Sequence, residues 1–370
     1  MARRSADVLI VGAGPSGCAS AIGLLQRGRS VILLDRGAFE TRPGEGLPGA
    51  ARGELSALGL WESFLSQGHN AVWSVRSAWG SAELVSQELA FHPYGQNWHL
   101  DREAFDGLCR ARAEELGATM LKGALAGAHF VDGRWLLTVD RAPFDLSVRF
   151  VIDASGRASA FARRQGVLRR RRDRLVGLAS TFADRLSATG VFSTTIEATP
   201  DGWWYAAQLP HGLVTAVYMT DAESLPPGRG RLTEFWVEQI CMTSHICCVA
   251  GPPDAVEVRA WPADSAVLDQ AYGNSWFAVG DAVCSFDPLS STGIIHALES
   301  GAWVACAIDD TLRGKSSASR LYGTRIRQRI RDFERLKFAY YGAERRWSSS
   351  KFWSRRQATS EKIEKHRWNW

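Results

Sequence analysis

The chain has 370 residues, is 45% hydrophobic and 22% charged, and carries a formal net charge of +5, which describes an ordinary globular protein with material for two domains or one large one. No stretch approaches the roughly 20 apolar residues that span a bilayer. Its 7 cysteines are scattered and odd in number, against a complete disulfide framework, and neither they nor His245 beside Cys247 and Cys248 have the spacing of a structural zinc site.

The N-terminus, MARRSADVLIVGAGPSG, has the basic start and apolar run of a signal peptide. The run is short and broken by glycines, and cleavage there would remove the turn that follows, so a cytoplasmic protein is expected. The apolar run Val8 to Val11 predicts a strand. Gly12, Gly14 and Gly17 follow in a G-x-G-x-x-G turn that holds Pro15 and Ser16, and Ala19 to Leu25 predicts a helix stopped at Gly28. A second strand, Val31 to Leu34, ends at Asp35 and Arg36. The order strand, glycine turn, helix, strand and acid is that of a dinucleotide-binding βαβ unit. Gly12 permits the sharp turn, Gly14 leaves room for a pyrophosphate, Gly17 lets helix and strand approach, and Asp35 can accept from ribose hydroxyls.

The segment after Arg36 is rich in Pro and Gly up to Pro48 and predicts an irregular strap holding Arg42, Gly44 and Glu45, with a helix from Ala50 through Leu58. Asp101 reads as the N-cap of a helix whose apolar face is Phe105, Leu108, Ala111 and Leu116, ending at Gly117. Arg102 in its first turn is unfavourable against the helix dipole unless it meets an anion such as a pyrophosphate. Strands are predicted from 119 to 152, closing on DASGR at 153 to 157. The cluster Arg169 to Arg172 reads as a solvated surface turn. Residues 175 to 220 predict strands with turns at Pro200-Asp201-Gly202 and Pro210-His211-Gly212. Trp203, Trp204 and Tyr205 put rings on both faces of one strand, one face for the core and the other open to a flat apolar substrate.

A helix from Arg231 to about Cys241 precedes the second strong motif. The strand Trp276 to Val279 ends in Gly280-Asp281, a loop runs to Pro288, and Gly293 opens a helix to about Ile308. That is a second platform facing an anion. From Arg313 to the end there are 17 Lys plus Arg against 5 Asp plus Glu, so the tail has an excess of 12 and the rest of the chain is net negative by 7. The tail reads as solvated amphipathic helix, clearest from Leu321 to Tyr341. An acidic partner is kept open by its aromatics, while no nucleic-acid motif accompanies it.

GAGPSG, Asp101-Arg102, DASGR, Gly280-Asp281 and DPLSSTG in this order resemble flavoprotein monooxygenases of the p-hydroxybenzoate hydroxylase type over nearly the whole chain. RPGEGLPG, DGWW and the Trp-rich tail resemble the tryptophan-halogenase-like branch, which includes flavoproteins of protein-derived quinone cofactor biogenesis. The resemblance implies an α/β fold: a Rossmann-like FAD-binding domain (1–75, 97–174 and 270–312), an interleaved β-rich substrate domain (76–96 and 175–269) and a C-terminal helical basic region (313–370). It implies that FAD is held by Gly12, Gly14, Pro15, Ser16, Gly17, Asp35, Arg36, Arg42, Arg102, Asp281, Pro288, Ser291, Thr292, Gly293 and Ile294.

The reaction implied is hydroxylation of an indole or phenol by oxygen that reduced FAD activates, with a Trp or Tyr side chain of a peptide or protein as substrate. Halogenases of this branch carry a lysine after the GE loop, and no lysine precedes Lys122 here. Their W-x-W-x-I-P motif is replaced by WWYAAQLP. Both departures count against halogenation. Candidate catalytic groups are Glu45, His99, Asp287 and His296; Trp203, Trp204 and Tyr205 are candidates for substrate contact, and no metal is expected. With a single Rossmann-type glycine motif, electrons are expected from NADPH or from a separate flavin reductase. The alternatives are a hydroxylase, halogenase-like enzyme or reductase acting on a free small molecule in natural-product synthesis, and a non-redox, flavin-stabilised assembly partner.

Overall fold

The computed structural model describes residues 2–37, 45–184, 192–251 and 256–358. The predicted βαβ unit forms as strand Ala2–Val11, helix Pro15–Leu25 and strand Val31–Asp35. These strands sit inside an eight-stranded sheet whose main order is Tyr272–Gly273, Trp276–Ala278, Phe144–Asp153, Ala2–Val11, Val31–Asp35 and Thr119–Lys122. From Trp276–Ala278 to Thr119–Lys122 every pairing is parallel. A parallel sheet is covered on both faces, which is why its strands read as unbroken apolar runs: Val8, Leu9, Ile10, Leu33, Val151 and Ile152 are all buried. An antiparallel hairpin, Leu125–Val131 with Arg134–Val139, extends the sheet from Phe144–Asp153.

One face is covered by helix Pro15–Leu25 and the long helix Gly293–Leu312, which pack on each other through small residues. A Cβ at Gly301 would lie 2.7 Å from the Ala19 methyl, and one at Gly23 would lie 2.8 Å from that of Ala305. Larger residues there would push the helices apart and separate their N-termini.

The second sheet has nine strands, in main order Arg259–Pro262, Leu175–Ala183, Leu213–Asp221, Gly202–Leu209, Phe192–Thr199, Asn70–Ala78, Asn97–His99 and Gly46–Leu47. The strands at 46–47, 70–75 and 97–99, grouped with the first domain in the sequence reading, hydrogen-bond in this second sheet. The chain therefore enters the β-rich layer directly from the strap. Alternation along Gly202–Leu209 sends Trp203 and Trp204 into two different cores. Trp203 packs with Tyr341, Phe352 and Trp353, whereas Trp204 stacks on Tyr218 at 4.9 Å and meets Trp236 edge-on at 5.3 Å.

Two local expectations are corrected. In helix Arg102–Glu115 the buried stripe is Phe105, Cys109 and Ala113, at strict i, i+4, i+8 spacing, while Ala111 faces solvent. Cys109 joins that stripe as a small apolar side chain in effect, a buried free thiol. Arg169–Arg171 is a strand paired with Ala266–Leu268, and Arg169 points inward onto Ser159, Ser285 and the carbonyl of Asp281.

The tail folds back as helices Ala318–Ala343 and Lys351–Gln357. Tyr322, Ile326, Ile330, Phe333 and Tyr341 form the buried stripe. Several of its cations meet acids elsewhere in the chain: Arg356 pairs with buried Asp221 at 2.7 Å, Arg355 with Glu223 at 2.9 Å and Lys337 with Asp173 at 2.5 Å. Part of the tail's positive charge is thus met by acids elsewhere in the molecule. Among the described residues no helix is long and apolar enough to cross a membrane.

Candidate active site

Two helix N-termini and one tight turn converge at the parallel sheet. Gly12 takes φ +111°, and a Cβ on it would lie 2.4 Å from the carbonyl oxygen of Ala154. A Cβ on Gly17 would lie 2.0 Å from the carbonyl oxygen of Gly12. Helix Pro15–Leu25 therefore begins hard against the turn, with Gly14 as N-cap, no side-chain cap and no acid in its first turn. Its first N–H groups are left to a ligand. A Cβ at Gly14 would meet nothing within 4 Å, so the space in front of them is open.

The second helix, Gly293–Leu312, starts in the same way. Its N-cap Thr292 makes no capping bond, no acid occupies the first turn, and Gly293 has open space before it. Thr292 instead exchanges a hydrogen bond with Ser290 at 2.8 Å, and Ser291 takes a left-handed φ of 49° that turns the chain into the helix. Ile294 is buried beneath. Gly280-Asp281 is wedged between the two helices, its N–H donating to Ser300 Oγ at 2.9 Å, with Ser16 beside it. Asp281 keeps 41% of its side chain exposed, with Arg157 Nε at 3.6 Å. Asp35 ends its strand partly exposed and Arg36 is exposed. Arg102 lies along its own helix, 3.3 Å from Asp106. Arg42 lies outside the described residues. This cradle of glycines and uncapped helix ends fits a pyrophosphate and a flat ring system.

Residues 5–335 match the FAD binding domain family. The chain belongs to that family. LodB of Marinomonas mediterranea, named as an FAD-dependent oxidoreductase, is 30% identical over 96% of this chain and 98% of its own. The crystal structure of CmlS, a flavin-dependent halogenase, has a TM-score of 0.85 at 26% identity, covering 96% of this chain and 68% of that one. The solved structure of QhpG, a peptidyl tryptophan dihydroxylase essential for tryptophylquinone cofactor biogenesis, has a TM-score of 0.79 at 25% identity, covering 96% of this chain and 79% of that one. The protein is an FAD-dependent oxidoreductase.

Around the flavoenzyme's cradle, the strap and the β-rich sheet bring a second group together. A Cβ at Gly46 would lie 3.8 Å from Ser291 Oγ and 3.9 Å from the Tyr205 hydroxyl. Among the described residues the Tyr205 hydroxyl is buried with no hydrogen-bond partner. Burial, with the neighbouring charge of Glu45, pushes its pKa well above the ordinary tyrosine value, so it remains a donor. Glu45 is buried, and its backbone carbonyl accepts from the N–H of Leu100 at 2.9 Å.

His99 and His296 are occupied differently. His99 places Nδ1 2.9 Å from the carbonyl of Gln208 and Nε2 2.8 Å from Thr194 Oγ1. A carbonyl only accepts, so Nδ1 carries the proton and Nε2 accepts from the threonine hydroxyl. Both nitrogens are spent on neighbouring strands, which gives the ring a structural task. His296 is buried in the helix Gly293–Leu312, its Nε2 3.3 Å from Cys284 Sγ and its ring on Phe286. Burial lowers the pKa of His99 to about 4; burial, with Arg329 adding to it, lowers that of His296 to about 3.

Trp204 is corrected as a substrate contact: it lies on the sheet face opposite Trp203 and Tyr205 and is completely buried in the Trp236 core. Trp203 is buried too, with Nε1 donating to the Tyr341 hydroxyl at 3.0 Å. That hydroxyl donates to Asp287 Oδ2 at 2.8 Å, while Asp287 Oδ1 caps the turn Pro288–Ser290 through the N–H of Leu289 at 3.0 Å. Lys337 Nζ stands 3.5 Å from the same carboxylate. Asp287 thus fixes the turn that leads into Gly293.

Tyr341 and Lys337 were invisible as site residues in the sequence, because they lie on a helix remote in the chain from Asp287. Replacing Tyr341 with Phe leaves the buried Trp203 indole N–H without its acceptor and leaves Asp287 Oδ2 with Lys337 alone. The expected loss of stability is about 1–3 kcal/mol, read as a lower urea midpoint. It should be accompanied by weaker FAD retention on gel filtration, since the turn at 288–290 leads into the cradle.

Proposed function

We propose that the enzyme is a monooxygenase that hydroxylates an electron-rich aromatic ring, the indole or phenol of a Trp or Tyr side chain in a polypeptide, during the making of a protein-derived quinone cofactor. The observation that carries this reading is the Tyr205 hydroxyl, a buried donor without a partner among the described residues, beside Glu45, Gly46 and Ser291. A buried hydroxyl left without a bond costs free energy, and this one lies by the strap and the Ser291 turn, where a ligand atom would supply the bond. FAD, when bound and reduced, supplies the activation of molecular oxygen.

The chain's residues do the rest. The uncapped ends at Gly14 and Gly293 bind the negative and electron-rich parts of the cofactor. Tyr205 donates to the substrate, and Glu45 accepts from an indole N–H or a phenol O–H, so that the ring is oriented before it reacts. The buried tryptophans on both sides of strand Gly202–Leu209 make that platform rigid and keep water out from behind. Leading electrons into the site falls to NADPH or to a separate reductase, and no lysine in the first 121 residues is available for the halogenating role. The name of QhpG, a peptidyl tryptophan dihydroxylase, supports a peptide substrate.

The test supplies reduced flavin, oxygen, chloride and a Trp- or Tyr-bearing peptide and follows product mass. Gain of oxygen is expected; gain of chlorine, or of hydrogen alone, would overturn the assignment. Tyr205→Phe should fold and retain FAD yet lower turnover about tenfold, the size of one lost hydrogen bond.

A further inference from the structure

Beside the DASGR loop lies a cleft of about 690 Å³, lined by Arg157, Arg163, Arg169 and Arg171, with Asp264 as the only acid among its described lining residues. We propose that this cleft binds a phosphate-bearing nucleotide distinct from the FAD. It stands whether or not ring hydroxylation is the reaction.

The charge balance comes first. Asp264 is shared by Arg157, at 3.2 Å, and Arg171, at 3.4 Å, so one carboxylate serves two guanidinium groups. Arg169 is directed onto neutral oxygens, Ser159, Ser285 and the carbonyl of Asp281. Among the described residues Arg163 has no side-chain ion pair. Four cations face Asp264 in the lining and Asp281 behind Arg157 and Arg169, which leaves the cleft net positive, and a bound oxyanion would relieve the remaining repulsion. Arginine forks suit the paired oxygens of a phosphate.

The walls favour a nucleotide over a bare phosphate. Val167, Leu168, Pro262 and Ala158 give an apolar surface next to the arginines, and Leu168 is 60% exposed there. A flat base can lie on that surface while a diphosphate reaches the guanidinium groups, and the volume falls within that of small-molecule sites. Arg157 also connects the cleft to the cradle, since its Nε stands 3.6 Å from Asp281. A phosphate drawn to Arg157 competes with Asp281 for the same cation, so occupancy of the cleft is sensed at the Gly280-Asp281 turn.

The experiment titrates ADP into the FAD-loaded protein by calorimetry at low salt, with adenosine, inorganic pyrophosphate and polyglutamate as comparisons. One ADP per chain is expected, weakening as salt rises, with adenosine failing to bind and pyrophosphate binding less tightly. The doubly substituted R163E/R171E protein changes two exposed side chains and should keep its flavin spectrum and melting temperature while losing at least about tenfold in ADP affinity. The proposal is overturned if ADP does not bind or binds the doubly substituted protein equally well. It is equally overturned if ADP binds only after FAD is removed, since ADP would then be entering the cofactor's own cradle. Tighter binding of polyglutamate than of ADP overturns it in favour of an acidic polypeptide partner.

Discussion

Gly17→Ala should yield a colourless protein. The added methyl would sit 2.0 Å from the Gly12 carbonyl oxygen and 3.2 Å from the Ala154 Cβ. No rotamer relieves a Cβ clash with backbone, so either the turn opens or the helix Pro15–Leu25 slides away from it. The slide is resisted along the contact, where Gly301 against Ser16 and Ala19, and Gly23 against Ala305, already hold that helix to Gly293–Leu312. Opening the turn misdirects the N–H groups that face the pyrophosphate. The expected loss in FAD affinity is at least about 100-fold, or about 2.7 kcal/mol, measured by flavin absorbance after gel filtration and by fluorescence titration.

Gly14→Ala separates packing from ligand approach. Its methyl would meet no protein atom within 4 Å, so the chain should keep its melting temperature without FAD. It should nevertheless bind FAD more weakly, because the methyl occupies the space where the pyrophosphate must come close to backbone. Full colour in both variants would remove the cradle from its assigned role.

The contrast between these glycines explains how much the sequence could reveal. The turn, its helix and the acid at 35 are contiguous, and their order carries the physics of the cradle within one short segment. The run Trp276 to Val279 followed by Gly280-Asp281 and Gly293 is readable for the same reason. The strands of the second sheet were legible through their turns at Gly202 and Gly212. What was not legible depends on pairing across long separations. The inward direction of Arg169 is set by its pairing with Leu268, and an arginine-rich run in isolation reads as surface. The support of Asp287 by Tyr341 and Lys337 arises only when the C-terminal helix docks. Which of Trp203, Trp204 and Tyr205 faces the strap follows from strand register, and alternation alone fixes that Trp203 and Tyr205 share a face without saying which face it is.

Acid should destabilise the protein well before its ordinary carboxylates titrate. His99 and His296 are fully buried, and burial lowers their pKa values to about 4 and about 3. An unfolded chain returns each to its ordinary value near 6.5. As pH falls below that value the unfolded state takes up protons that the folded state refuses. Stability from these groups is therefore complete above about pH 6.5 and is lost as pH falls toward the folded values. Each group contributes about 1.4 kcal/mol per pH unit inside that window, so the pair together removes on the order of 5 kcal/mol by about pH 4.5, against a total near 5–15 kcal/mol for a typical protein.

Asp153 and Glu299, whose carboxyls burial pushes upward, act with the opposite sign and soften the decline at its lower end. His69, lowered to about 4 chiefly by burial, adds to the decline. Urea unfolding of the FAD-free protein at about pH 7.5, 6.5, 5.5 and 4.5 should show a plateau followed by a steep fall. His296→Leu removes one titrating group and should flatten the fall by roughly half the pair's slope, whatever it does to stability on the plateau. A stability curve that stays level down to pH 5 would mean that these rings reach water or a proton acceptor in solution.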